Sequence, residues 1–316
     1  MKIWIVILAS SILLQATTIV GSEIGGRVES VYFQTTALPP LYVVPQELKA
    51  YEGIFRAGLQ ALPEGALATG ALLLGGQSLG LTSHETTNLN TLLIKTYSRI
   101  AEDPAFKHLP SALSYCFSAQ RQTNGHYFLY HPDRLEANPL VIVFLHGFGG
   151  NFQFYVWALK TSFPDAVIIA PSWNVSWYGG SPQYLAQALA DAGRRLNIET
   201  ANQWLMGISA GGRGGFAIYP ELSSQFRGYV CLASVPEPSA VYRLRKDSRI
   251  LMLNGARDPM VPVEYARKQA DLLRRRVPSF TYREIQSDHF FILSQRVETF
   301  SIVRRFFESG GSASAK

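Results

Sequence analysis

Cysteine is nearly absent: 316 residues contain two, Cys116 and Cys231. That excludes a disulfide-scaffold protein and any four-cysteine zinc site. Cys231 sits inside the apolar run 229–233, which favours two buried thiols, and a single bridge stays open. Charge is also sparse, at 16% of residues against 47% hydrophobic. The chain is too apolar to be disordered and too interrupted by charge to be a polytopic membrane protein. The net charge of +6 is a mild bias, of which Lys2 is the only contribution from the first 22 residues. Part of the basic charge sits in short runs at 243–246 and 274–276, with no aromatic-interleaved stripe, so they read as solvated helix faces and no nucleic-acid partner is expected. There is no metal-ligand cluster and no glycine-rich phosphate loop ending in Lys-Ser or Lys-Thr; no metal and no organic cofactor is expected. The one long uncharged apolar run, 3–20, follows Met1-Lys2 and precedes Gly21-Ser22. It reads as a signal peptide over 1–22, with an uncleaved anchor as the alternative, because its length is close to a bilayer span. Either way a secreted or periplasmic location is expected, with membrane contact only through such an anchor.

What is present is a regular alternation. From about Tyr127 onward, apolar runs at 127–130, 140–145, 166–170, 204–207, 229–233, 250–254 and 281–286 read as strands. Helical spacing at 182–196 and 263–276 reads as crossover helices, with Pro182 in a first turn. Repeated β-α-β units imply an α/β fold with a mostly parallel sheet and helices on both faces. The preceding segment, 23–112, has helical stretches near 45–62 and 89–102 around a Gly- and Leu-rich piece, 65–76, that is too short to span a membrane. It predicts a mainly helical N-terminal extension packed on a catalytic domain at 113–308, with Leu48, Ile54, Phe55, Leu59, Leu92, Leu93 and Ile94 as its apolar contact residues; a flap over the active site or a membrane-touching surface is the alternative. The tail at 309–316 is small-residue sequence expected to be disordered.

Four loops carry chemistry. Gly207-Ile-Ser209-Ala-Gly211 stands between an apolar strand and a helix-compatible stretch. A serine nucleophile needs a tight strand-to-helix turn to project its hydroxyl, glycines two positions away keep neighbours from colliding, and the helix N-terminus favours developing negative charge. His146-Gly-Phe148-Gly-Gly150 follows the buried strand at 140–145 and resembles the oxyanion loop of the α/β-hydrolase family. The resemblance implies that the amides of Phe148 and Ala210 point at one carbonyl oxygen and that His146 is a loop-shaping residue. Asn254-Gly-Ala-Arg-Asp258-Pro-Met-Val-Pro262 matches that family's acid loop, and Ser287-Asp-His289-Phe290 resembles its histidine loop. The order Ser209, Asp258, His289 is the family's order, with Asp258 rather than Asp247, Asp271 or Asp288 as the orienting acid. The resemblance covers roughly 113–308 and implies the α/β-hydrolase fold and a serine hydrolase acting through an acyl-enzyme.

The segment between the strands at 229–233 and 250–254 is too short for a large cap insertion. The loop after the 166–170 strand carries Trp173, Trp177 and Tyr178 at the active-site end of the sheet, where they either line a substrate pocket or pack the loop down. The pattern resembles secreted esterases related to polyhydroxyalkanoate depolymerases and feruloyl esterases, and the small carboxylesterase and dienelactone hydrolase group. A small-molecule or polymeric carboxylic ester is therefore the expected substrate. A peptidase of the prolyl-oligopeptidase relationship and a non-catalytic binding protein on the same fold remain alternatives.

Overall fold

The computed structural model of the protein describes residues 25–198 and 202–309, without the side chains of 47 and 48. The expected signal peptide, 1–22, and the tail beyond Ser309 lie outside those residues, as does any contact of Leu48. The first strand, β1 (Arg27–Phe33), is followed by α1 (Glu52–Ala61), α2 (Glu64–Gly75), α3 (Ser83–Glu102) and the single turn α4 (Leu113–Cys116). Strands then alternate with helices. In chain order come β2 (Gly125–His131), β3 (Val141–Leu145), α5 (Gln153–Ser162), β4 (Val167–Ser172) and α6 (Pro182–Leu196). Next are β5 (Gln203–Ile208), α7 (Ala210–Leu222), β6 (Tyr229–Leu232) and α8 (Pro238–Arg243). The chain closes with β7 (Arg249–Gly255), α9 (Val263–Arg276), β8 (Ser279–Ile285), α10 (Phe291–Ser294) and α11 (Arg296–Glu308).

The eight strands form one sheet in the order β1-β2-β4-β3-β5-β6-β7-β8. β2 runs antiparallel to both its neighbours, and β3 to β8 are mutually parallel. Parallel neighbours need long crossovers, which the helices supply, and strands covered on both faces can be continuously apolar. Accordingly Val141 to Leu145 are all buried. On one face, Leu185 and Ala188 of α6, Phe216 of α7, Val241 of α8 and Leu273 of α9 pack on the sheet. On the other, Val156 and Leu159 of α5 join Phe291 of α10 and Phe300 and Val303 of α11. Local signals set the helix ends: Ser181 accepts from the Tyr184 amide ahead of Pro182, and Asn197 stops α6 in a left-handed conformation (φ 49°). Strand succession moves from β3 to β4, then returns past β3 to β5, which leaves a crevice beyond the C-terminal ends of β3 and β5.

Two expectations for 23–112 are corrected. The sheet begins at Arg27, well before the 113 boundary, because β1 pairs with the whole of β2 from Arg27–His131 to Phe33–Gly125. Its seven residues bury Val28, Val31 and Phe33 but carry Glu29-Ser30 in the middle, which breaks the alternation a strand would announce. The expected apolar face is used only in part: Leu93 packs inward and Phe55 meets Phe117 edge-on at 5.2 Å, but Ile54, Leu92 and Ile94 are exposed and α1 has no fully buried residue. Instead Leu72, Leu81 and Leu89 cluster with Phe290 and Leu293, while Ile100 and Phe106 join the core on the α5 face. The 65–76 piece is helical as α2, and among the described residues no helix is long and apolar enough to cross a membrane. Both cysteines are free and buried.

Candidate active site

Ser209 ends β5 and starts α7 with φ 51° and ψ −121°, a conformation that costs a non-glycine residue on the order of 1–3 kcal/mol. The turn is held by its surroundings. The Ser209 amide donates to the Leu232 carbonyl at 2.8 Å, and its carbonyl accepts from the Arg213 amide at 3.0 Å. The flanking glycines are required by close approach: a methyl on Gly207 would lie 2.5 Å from the Gly211 oxygen, and one on Gly211 would lie 2.2 Å from the Leu145 oxygen. Packed this way, the backbone leaves the Ser209 hydroxyl as the group presented at the strand end.

His289 and Asp258 meet that hydroxyl from two other strand ends. His289 Nε2 is 3.0 Å from Ser209 Oγ, and His289 Nδ1 is 2.7 Å from Asp258 Oδ2. Both partners are buried, Ser209 half so. Asp258 Oδ1 accepts from the amides of Met260 (2.8 Å) and Val261 (2.9 Å), which fixes the carboxylate plane and turns Oδ2 to the imidazole. The acid and histidine loops are stitched together, since the Arg257 amide donates to the Ser287 carbonyl at 2.9 Å. Gly255 is needed there, because a methyl on it would lie 2.4 Å from the Asp288 oxygen. Asp288 turns away to accept from the Phe290 amide at 2.8 Å.

The loop after β3 presses on the serine turn: a methyl on Gly147 would lie 3.3 Å from Ser209 Cβ. His146 is buried within this loop. Its Nδ1 donates to the Gly147 carbonyl (2.8 Å) and its Nε2 accepts from the Trp173 amide (3.2 Å), so both ring nitrogens are occupied in one tautomer. Burial pulls its pKa down to about 4 and keeps the ring neutral. The amides of Gly149 (φ 100°) and Gly150 (φ 104°) both donate to the Val175 carbonyl, at 2.8 and 3.1 Å. Among the described residues the amides of Phe148 and Ala210 donate to no protein group. The Phe148 side chain itself is 72% exposed.

Asn151 is a residue the sequence does not single out. Its Nδ2 donates to the Ala170 carbonyl (2.7 Å) and Ser172 Oγ (3.0 Å), anchoring the far end of the loop to β4. A lone asparagine after a glycine pair gives no sequence signal for this.

The three aromatics after β4 separate. Trp177 is wholly buried, donates Nε1–H to the Pro171 carbonyl (3.0 Å) and stacks on Trp173 at 5.7 Å between centroids. Trp173 in turn meets Tyr184 of α6 edge-on at 5.0 Å. A methyl on Gly214 would lie 2.1 Å from the Trp177 oxygen, so the loop is clamped between sheet and α7. Both tryptophans therefore pack the loop down and do not line an open pocket, which corrects the substrate-binding expectation for them. Tyr178 is 61% exposed at the rim, with the Arg213 guanidinium 5.9 Å from its ring centre and that arginine 3.3 Å from Glu237.

No family model matches the chain, and no curated protein matches it. Solved structures do. A thermostable esterase is 22% identical with a TM-score of 0.46, the match covering 58% of this chain and 59% of that one. The S-formylglutathione hydrolase of Staphylococcus aureus is 14% identical, with 58% and 90% covered and a TM-score of 0.48. An acylaminoacyl peptidase of Pyrococcus horikoshii is 11% identical, with 58% and 39% covered and a TM-score of 0.49. The chain thus spans about three fifths of the first of these proteins and less of the last. By its own strand order, with β2 alone reversed and six parallel strands beyond it, this chain has the α/β-hydrolase fold.

Proposed function

We propose that the protein is a serine hydrolase that cleaves carboxylic esters through an acyl-enzyme. The observation that carries this is the hydrogen-bonded line Asp258–His289–Ser209, drawn from three strand ends onto a strained serine turn. His289 Nε2 takes the hydroxyl proton as Ser209 Oγ attacks the ester carbon, and Asp258 stabilises the imidazolium through Nδ1–H. The carbonyl oxygen becomes an oxyanion facing the amides of Phe148 and Ala210. The proton then passes from His289 to the departing alkoxide, and water attacks the acyl-enzyme with His289 as base.

Between β6 and β7 only α8 intervenes, so no cap inserted there stands between a substrate and Ser209. The rim offers Phe148 and Tyr178 as exposed aromatic surface. The test is turnover of short p-nitrophenyl esters against matched peptide p-nitroanilides. Ester turnover abolished by Ser209→Ala is expected; preferential amide cleavage would favour the peptidase reading, and no turnover of either, a binding protein.

A further inference from the structure

The N-terminal segment reaches the oxyanion loop through one buried carboxylate that the catalytic reading does not use. Glu64, the first residue of α2, is 5% exposed. Its Oε1 accepts from the Gln153 amide at 2.6 Å and from the Tyr97 hydroxyl at 2.9 Å, and its Oε2 accepts from the Ser111 hydroxyl at 2.7 Å. Gln153 is the first residue of α5, whose own N-cap position, Phe152, supplies no side-chain cap. The carboxylate therefore caps that helix from another part of the chain, satisfying an amide that the helix leaves unpaired and facing its positive end. Two residues before Gln153 stands Asn151, and before it Gly149 and Gly150, so the gripped amide is where the oxyanion loop enters α5. A second contact lies alongside: a methyl on Gly150 would sit 3.0 Å from Leu113 Cδ2 and 3.2 Å from Cys116 Cβ.

We propose that Glu64 is a positioning residue that, through the Gln153 amide, fixes the loop bearing the Phe148 oxyanion donor. The proposal rests on the serine-hydrolase reading. It gives the N-terminal segment a part in turnover that does not require it to touch substrate. A carboxylate grips an amide more tightly than an uncharged acceptor does. Burial raises the Glu64 pKa to about 7, so the grip is strongest above neutrality. The titratable groups facing it are Tyr97 of α3, Tyr155 of α5 and Cys116 of α4, all of which burial holds protonated in that range.

The test uses Glu64→Gln in the full chain, which keeps the shape and loses the charge. Wild type is first shown to hydrolyse p-nitrophenyl acetate and to react with a fluorophosphonate; failure there removes the serine-hydrolase reading itself. With that in hand, Glu64→Gln is expected to lower kcat and the fluorophosphonate labelling rate together by roughly fivefold at pH 8, leaving KM unchanged. The deficit should shrink toward pH 6, where wild-type Glu64 is also protonated. Tm at pH 8 should be equal to or above wild type, since a buried charge is removed, whereas a purely structural role would lower Tm and activity together. Gln153→Pro gives an independent reading, because proline is well accepted at a first helical position and Phe152 is already extended (ψ 143°). It removes the gripped N–H and should reproduce the kcat loss without adding to it in the double variant. Wild-type kcat in either variant across pH 6 to 9, or a loss that tracks a lowered Tm, would overturn the proposal.

Discussion

Replacing Asp258 by asparagine changes one atom and should nearly abolish turnover, for a reason visible in its hydrogen bonds. Oδ1 accepts from the Met260 and Val261 amides, so in Asp258→Asn that position keeps the oxygen and the NH2 group is forced toward His289. An NH2 group there donates to Nδ1, which pushes the ring proton onto Nε2, 3.0 Å from Ser209 Oγ. A protonated Nε2 cannot accept the serine proton. Loss of the correct tautomer in a Ser-His-Asp triad costs about 10⁴-fold, or roughly 5 kcal/mol of transition-state stabilisation. Asp288→Asn is the matched control, since Asp288 only accepts from the Phe290 amide and asparagine accepts equally well. The assay is kcat/KM on p-nitrophenyl butyrate at constant pH, with Tm measured to show that both variants are folded. A tenth of wild-type activity in Asp258→Asn, or a larger loss in Asp288→Asn, would refute the assignment.

Other consequences are equally direct. Ser209→Gly should remove activity yet raise stability by on the order of 1 kcal/mol, because glycine adopts φ 51° without strain; a lowered Tm would show that the turn is not strained. Gly211→Ala should yield little folded protein, since its methyl would meet the backbone oxygens of Leu145 and His146, at the end of β3, at 2.2 and 2.4 Å, and a soluble, active variant would contradict the packing. Glu64 has a folded pKa near 7 against an ordinary value of 4.5, so its contribution to stability is complete below the unfolded pKa and is lost as pH rises through about 7. Wild-type Tm should therefore fall more than that of Glu64→Gln between pH 5 and 8, and parallel curves would contradict a raised pKa. A chain starting at Ser111 lacks β1 and Glu64 and bares the edge of β2, so aggregation is expected by light scattering although every catalytic loop is present; a soluble, active monomer would make 23–110 a separable module.

What could be read from the sequence follows from how local each signal is. The buried parallel strands were legible because both faces are covered, so β3 and β7 stand out as unbroken apolar runs. Ser209 was legible because the turn it needs imposes glycines two positions away on each side. β1 was not, because an edge strand of seven residues buries only Val28, Val31 and Phe33 and its polar centre hides the period. Trp173 and Trp177 could face in or out from the end of β4, and what decides is distant: the Pro171 carbonyl, Tyr184 and the bare backbone of Gly214. Glu64 is less legible still. An acid at a helix start reads as a solvated charge, and its burial depends on partners 33, 47 and 89 residues away in Tyr97, Ser111 and Gln153.

The central claim is that Ser209 is a nucleophile activated by His289. It is tested most directly by treating the folded protein with a fluorophosphonate and mapping the adduct by peptide mass spectrometry, alongside His289→Ala. Stoichiometric modification of Ser209, slowed by several orders of magnitude in His289→Ala and absent from heat-unfolded protein, is the expected result. An unmodified Ser209 in folded protein, or modification that ignores His289, would contradict it.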